Sequence, residues 1–137
     1  MTHPLLMHLD HVGIAVRSIE AALPFYTRGI GVAPSHTEDV ASQGARTCFI
    51  EVGDAHIEFL EPLSEDTPIG KFLQKRGEGV HHLAFRVRDI EAALARVAAE
   101  GFTLIDKEPR PGARGSRVAF IHPKGTHGVL YELVERP

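Results

Sequence analysis

Two histidines and two glutamates occupy matched positions in this chain, and together they make a donor set for a divalent cation. His11 lies in DHVGIAVRSIEAALPFY, residues 10–26, and His82 lies in HHLAFRVRDIEAALARV, residues 81–97. At an offset of 71 residues, 8 of these 17 positions are identical. At the same offset GARTCFI, residues 44–50, answers GSRVAFI, residues 115–121. After three extra residues in the second copy, IEFLE at 57–61 aligns with YELVE at 131–135 and pairs Glu58 with Glu132. Self-similarity of this length marks a duplicated unit. Two copies related by a pseudo-twofold axis would bring two imidazoles and two carboxylates to one point.

A single buried His is commonly a hydrogen-bonded core residue, and a Glu near a strand end is commonly solvated. Here each His is followed two places on by a small residue, Gly13 or Ala84, which leaves open volume beside it. Each Glu stands mid-strand with apolar residues two places away, Leu60 in the first copy, Leu130 and Val134 in the second. An ionised Glu on an inward face is costly unless it is paired or coordinating. A metal site is therefore weighed above an inert polar core. Two neutral imidazoles and two carboxylates suit one divalent ion per chain, cobalt, manganese, nickel or zinc, whose charge the carboxylates cancel.

The elements that must position these groups follow from periodicity. Residues 8–16, HLDHVGIAV, predict a strand with Val12, Ile14 and Val16 on an apolar face and His11, Gly13 and Ala15 on the other. A helix opens at Ser18 and runs towards Gly29, with Pro24 predicting a kink. Its twin is capped by Asp89, has Glu91 in its first turn and is closed by Gly101. Residues 31–61 predict three strands, VAPSHTEDVA, ARTCFIEV and AHIEFLEP, the last two joined by a turn at Gly53–Asp54. Residues 62–79 have no counterpart in the repeat and act as a connector, with a short helix from Thr67–Pro68 to Gly77. The second half repeats the plan with a strand at FTLIDKEP and two more separated by HPKGTHG. The pattern predicts an α+β chain of two strand, helix, three-strand units: module 1 about 7–61, connector 62–79 and module 2 about 80–135.

Composition sets outer limits. At 137 residues and 43% hydrophobic the chain can bury one core, whereas two units of about 60 residues would each be marginal alone. The halves are expected to share a single domain. A net charge of −3 gives no global basic field of the kind that nucleic acid or anionic membranes attract. Cys48 is the single cysteine, which excludes an internal disulfide and a cysteine-rich zinc site. No apolar stretch approaches 18 residues, and the N-terminal MTHPLLMHLD has no signal-peptide pattern. A soluble, cytoplasmic protein with a small-molecule ligand is expected.

With these residues in place, the sequence resembles the vicinal-oxygen-chelate superfamily of glyoxalase-like proteins, and within it the methylmalonyl-CoA epimerases. The resemblance covers essentially the whole chain and is most specific in LDHVGIAV at 9–16, FLQKRGEGVHHLAFRV at 72–87 and FIHPKGTHGVLYELVE at 120–135. It implies paired βαβββ modules forming a curved mixed sheet around a metal, in a homodimer. It also implies His11, Glu58, His82 and Glu132 as metal ligands, with His82 rather than His81 matching His11. Some members of the family place Gln at the position of Glu58 and a separate Glu, proposed as a base, where this chain has Thr47. That departure moves the second acid–base role towards Glu58, so Glu58 and Glu132 are the expected catalytic bases.

The activity implied is interconversion of the two epimers of methylmalonyl-CoA. Candidate contacts to the substrate are His122, Lys124 and His127 in HPKGTHG, for which a plain polar turn is an equal reading, and Arg114 and Arg117. Lys71, Lys75 and Arg76 on the connector helix would also suit the anionic coenzyme A handle, or simply form a solvated face. Of the other histidines, His3, His8, His36, His56 and His81 are not expected as ligands, His56 being nearest to one because it shares the face of Glu58. The alternatives are a glyoxalase I with the same four ligands, a ring-cleaving dioxygenase with two His and one carboxylate, and a metal-free antibiotic-binding protein.

Overall fold

The structure, a computed structural model, describes residues 5–137. His3 lies outside the described residues. The elements in chain order are β1 (Leu6–Ala15), α1 (Ile19–Pro24), β2 (His36–Val40), β3 (Ala45–Val52), β4 (Ala55–Pro62), α2 (Pro68–Arg76), β5 (Gly79–Val87), α3 (Ile90–Ala99), β6 (Arg110–Pro111), β7 (Arg117–Ile121) and β8 (Tyr131–Glu135). Two compact units result: one runs to His11 and resumes over His82–Pro137, the other is Val12–His81. In the Val12–His81 unit the strand order is β2–β3–β4, followed by the C-terminal part of β1; in the other it is β5–β8–β7–β6, preceded by the N-terminal part of β1.

The duplicated sequence produces duplicated local structure. Ser18 accepts from the Ala21 amide at the start of α1, and Asp89 accepts from the Ala92 amide at the start of α3. Each helix start also receives a carboxylate from the last strand of its own unit. Glu61 Oε1 accepts from the Ile19 amide at 2.8 Å, and Glu135 Oε2 accepts from the Ile90 amide at 2.9 Å. The first amides of a helix have no partner within it, and a negative charge there also meets the positive end of the helix dipole. Arg46 and Arg117, the matched arginines of the GARTCFI and GSRVAFI segments, pair with Glu61 and Glu135. The glycines that open those segments, Gly44 and Gly115, both adopt left-handed backbone, φ +63° and +69°, where a side chain would be strained.

Each unit has buried apolar clusters of its own. In the Val12–His81 unit Val16, Ile19, Cys48, Ile50 and Phe59 bury one face of β3 and β4 under α1, while Ala15, Ala45, Leu60, Ile69 and Leu73 pack under α2. In the other, Val87, Ile90, Ala93, Leu94, Ala119, Ile121 and Leu133 join α3 to its sheet. Pro24 has the expected effect: α1 stops there and the chain continues through one wide turn over Phe25–Gly29, closed by the Ile30 amide donating to the Phe25 carbonyl. Thr67 caps α2 and Gly77 ends it.

Two expected strands are shorter than their patterns. β2 begins only at His36, after Pro34, which has no amide to donate. FTLIDKEP forms no continuous strand. Leu104 makes a single bridge to Ile121, and the Ile105 and Asp106 amides both donate to the Phe120 carbonyl. The Asp106 carboxylate then takes the Phe120 amide at 2.9 Å in place of a backbone acceptor. A side chain that satisfies its neighbour's backbone competes with the ladder. Pro109 and Pro111, which cannot donate to a ladder, confine β6 to two residues.

Candidate metal and proton-transfer site

In the unit containing β5 and β8, three buried side chains converge. His11 projects from β1, His82 from β5 and Glu132 from β8, and they are 3%, 2% and 1% exposed. Glu132 stands opposite Ala84 of β5 in parallel register and opposite Phe120 of β7 in antiparallel register. The methyl of Ala84 leaves room on one side, and the Phe120 ring meets His82 edge-on at 5.4 Å. His11 Nε2 lies 2.9 Å from His82 Nε2 and 3.0 Å from Glu132 Oε1; His82 Nε2 lies 3.4 Å from the same oxygen.

Proton bookkeeping tests whether these residues suit a cation. The Asp10 carboxylate, 2% exposed, places Oδ2 2.7 Å from His11 Nδ1. An ionised carboxylate only accepts, so Nδ1 carries the hydrogen and Nε2 of the neutral ring offers a lone pair. That lone pair faces a carboxylate oxygen and a second imidazole nitrogen, which together supply one proton at most while the rings are neutral. A cluster so rich in acceptors fits a positive ion. The observed separations also match the roughly 3.0–3.5 Å between neighbouring donors around an ion with bonds of about 2.1 Å.

The local charges support an ionised site. Burial would raise the Asp10 carboxyl, but hydrogen bonds from His11 and Arg136 and the guanidinium charge hold it well below the usual carboxylate range. Burial likewise acts to raise Glu132, and when the rings of His82 and His11 carry protons their charge and hydrogen bonds more than offset it, so Glu132 is lowered; a cation in place of those protons acts in the same direction.

Glu58 belongs to the Val12–His81 unit, mid-β4 and 4% exposed. It pairs in register with Phe49, as Glu132 does with Phe120. On the same face the Thr47 hydroxyl donates to the Glu38 carbonyl at 3.0 Å, which commits it to β2. His56 is buried and stacks on Phe49 with ring centroids 4.2 Å apart. His81 packs edge-on against Phe72, His36 pairs with Glu38, and His8 bonds the Leu9 carbonyl.

The expected substrate contacts are on the surface. His122 accepts from the Lys124 amide and so shapes its own turn; Lys124 is exposed. His127, at φ +50°, lies 3.2 Å from the Tyr131 hydroxyl. Arg114 is exposed at φ +58°. Arg117 is held by Glu91 and Glu135. Lys71, Lys75 and Arg76 form the exposed side of α2, with Arg76 over the Phe72 ring. Sequence reasoning passed over Asp10, Arg86 and Arg136, although Asp10 directly precedes His11 where the repeat has His81.

Residues 10–120 match the glyoxalase/bleomycin resistance protein/dioxygenase superfamily, and the chain belongs to it. Among solved structures, methylmalonyl-CoA epimerase from Mycobacterium tuberculosis is 40% identical, with a TM-score of 0.94 covering 100% of this chain and 93% of that one. Hypothetical protein BH1468 from Bacillus halodurans C-125 is 51% identical, with a TM-score of 0.91 covering 94% of each chain. The ethylmalonyl-CoA/methylmalonyl-CoA epimerase of Cereibacter sphaeroides is 38% identical over 94% of this chain and 98% of its own length. Among the described residues no helix is long and apolar enough to cross a membrane.

Proposed function

We propose that the protein is a metal-dependent epimerase that interconverts (2R)- and (2S)-methylmalonyl-CoA by proton transfer at carbon 2. The observation that carries this reading is the buried convergence of His11, His82 and Glu132. Near full-length similarity to proteins named methylmalonyl-CoA epimerase supports this choice of substrate.

His11, His82 and Glu132, with Glu58 as the register-equivalent of Glu132, would hold one divalent ion, cobalt or manganese before nickel or zinc. Such an ion supplies Lewis-acid stabilisation to the negative charge that develops on the substrate oxygens, worth several kcal/mol. Glu58 and Glu132 handle the proton. One carboxylate takes it from carbon 2, the C–H electron pair delocalises into the thioester as an enolate, and the other, protonated, returns a proton to the opposite face. His122, Lys124, His127, Arg114 and Arg117 are proposed to meet the carboxylate and phosphates of the substrate. A cytoplasmic homodimer completes the proposal.

Proton NMR of methylmalonyl-CoA in deuterium oxide tests it. The metal-loaded enzyme is expected to replace the carbon 2 hydrogen by deuterium while equilibrating the epimers. Retention of that hydrogen would overturn the assignment, and rapid turnover of the glutathione hemithioacetal of methylglyoxal would establish the glyoxalase I reading in its place.

A further inference from the structure

We propose that Asp10, clamped by Arg136, is a positioning residue that fixes the tautomer of His11 and makes this imidazole the anchoring donor of the metal set. The inference rests on the proposed metal site and deepens that reading. Five contacts within one unit support it. Asp10 Oδ2 accepts from His11 Nδ1 at 2.7 Å, which leaves the Nε2 lone pair as the group facing His82 and Glu132. Arg136 grips the same carboxylate with two donors, Nη2 to Oδ2 at 2.7 Å and Nε to Oδ1 at 3.0 Å. Its remaining nitrogen, Nη1, donates to the Ala113 carbonyl at 3.3 Å, which holds the guanidinium plane. Arg86 Nε adds a contact to Oδ1 at 3.4 Å.

A planar guanidinium fork restrains a carboxylate in orientation as well as position. With both oxygens engaged, Asp10 cannot rotate away from His11 without breaking the clamp. A carboxylate behind a ligating imidazole raises the basicity of the ring and sets which nitrogen is free, and losing it typically weakens metal binding about 10- to 100-fold. The repeat breaks here: the residue ahead of His82 is His81, packed against Phe72. The carboxylate ahead of His11 therefore has no counterpart at the matching position ahead of His82. Arg136, 126 residues from Asp10 in sequence and directly after the last strand, ties that end of the chain to the first strand at the site.

The test uses the metal-free full chain. Cobalt(II) is titrated in, its visible absorption and heat of binding give the dissociation constant, and nitrogen-15 NMR of the histidines reports the tautomer of His11 before metal is added. Wild type is expected to show His11 as the Nδ1–H tautomer. Asp10→Asn should raise the cobalt dissociation constant about 10- to 100-fold, Arg136→Gln should raise it by a smaller factor, and His81→Ala should leave it within about threefold. The urea midpoint of each metal-free variant separates this from a structural role, which would lower stability while leaving tautomer and affinity of the folded protein unchanged. Cobalt affinity in folded Asp10→Asn within about threefold of wild type, or an Nε2–H tautomer in wild type, overturns the inference alone. Should Asp10→Asn fail to fold, unchanged tautomer and affinity in Arg136→Gln have the same consequence. No cobalt binding by wild type overturns the metal reading together with it.

Discussion

Glu135→Gln tests whether the duplicated carboxylates stabilise the chain as helix caps or as ion-pair partners. Glu135 Oε2 accepts from the Ile90 amide at 2.9 Å at the start of α3, while Oε1 accepts from Arg117 Nη1 at 3.1 Å. Gln keeps the length and an acceptor oxygen and removes the charge. Hydrogen bonds to charged groups contribute about 1.5–3 kcal/mol and neutral ones about 0.5–1.5, so the loss at the amide is roughly 1 kcal/mol. Arg117 is 44% exposed and also paired with Glu91, and exposed ion pairs are screened by water and salt. Its share should be minor. In a chain of this size roughly 1 kcal/mol lowers Tm by about 3–4 °C. Urea unfolding followed by circular dichroism should show a lower midpoint with unchanged slope. Glu61→Gln, which meets the Ile19 amide at 2.8 Å, should match it, and the double variant should sum to within about 0.5 kcal/mol. Arg117→Met should shift the midpoint far less. If Arg117→Met destabilises as much as Glu135→Gln, the energy lies in the ion pair and the capping argument fails.

Three further outcomes concern the site. The purified protein is expected to hold one divalent metal per chain by elemental analysis, with His82→Ala losing it and His81→Ala keeping it; equal loss in both would refute the ligand assignment. Glu58→Gln and Glu132→Gln, when metal-loaded, should each lose net epimerisation yet wash deuterium into opposite epimers, while Thr47→Ala, whose hydroxyl is committed to the Glu38 carbonyl, should retain both exchange and epimerisation. Deuterium entering the same epimer in both Gln variants would defeat the division of labour. A methylmalonyl cysteamine thioester should react far less efficiently than the coenzyme A substrate, because remote binding energy is used at the reacting carbon; equal efficiency would remove any role for the surface basic residues.

The sequence by itself determined the repeat, and with it much of the local architecture. An offset of 71 residues pairs His11 with His82, Ser18 with Asp89 and Arg46 with Arg117, and the structure gives the two caps and the two arginines matched partners because neighbouring residues in the two copies impose the same turns, caps and periodicity. The limits of β3 and β4, the Thr67 cap of α2 and the break at Pro24 were legible for the same reason: short-range chemistry decides them. Tertiary structure alone decided where backbone partners run out. FTLIDKEP has strand composition, yet the Asp106 carboxylate takes the Phe120 amide that a strand would have used. It also decided what stands behind the site. Nothing in the spacing of Asp10 and Arg136 links them; only the packing of β1 near the chain's end places a guanidinium 2.7 Å from the carboxylate that orients His11. Contacts between residues this distant in sequence have no periodic signal, since they depend on how the strands come together rather than on local preference.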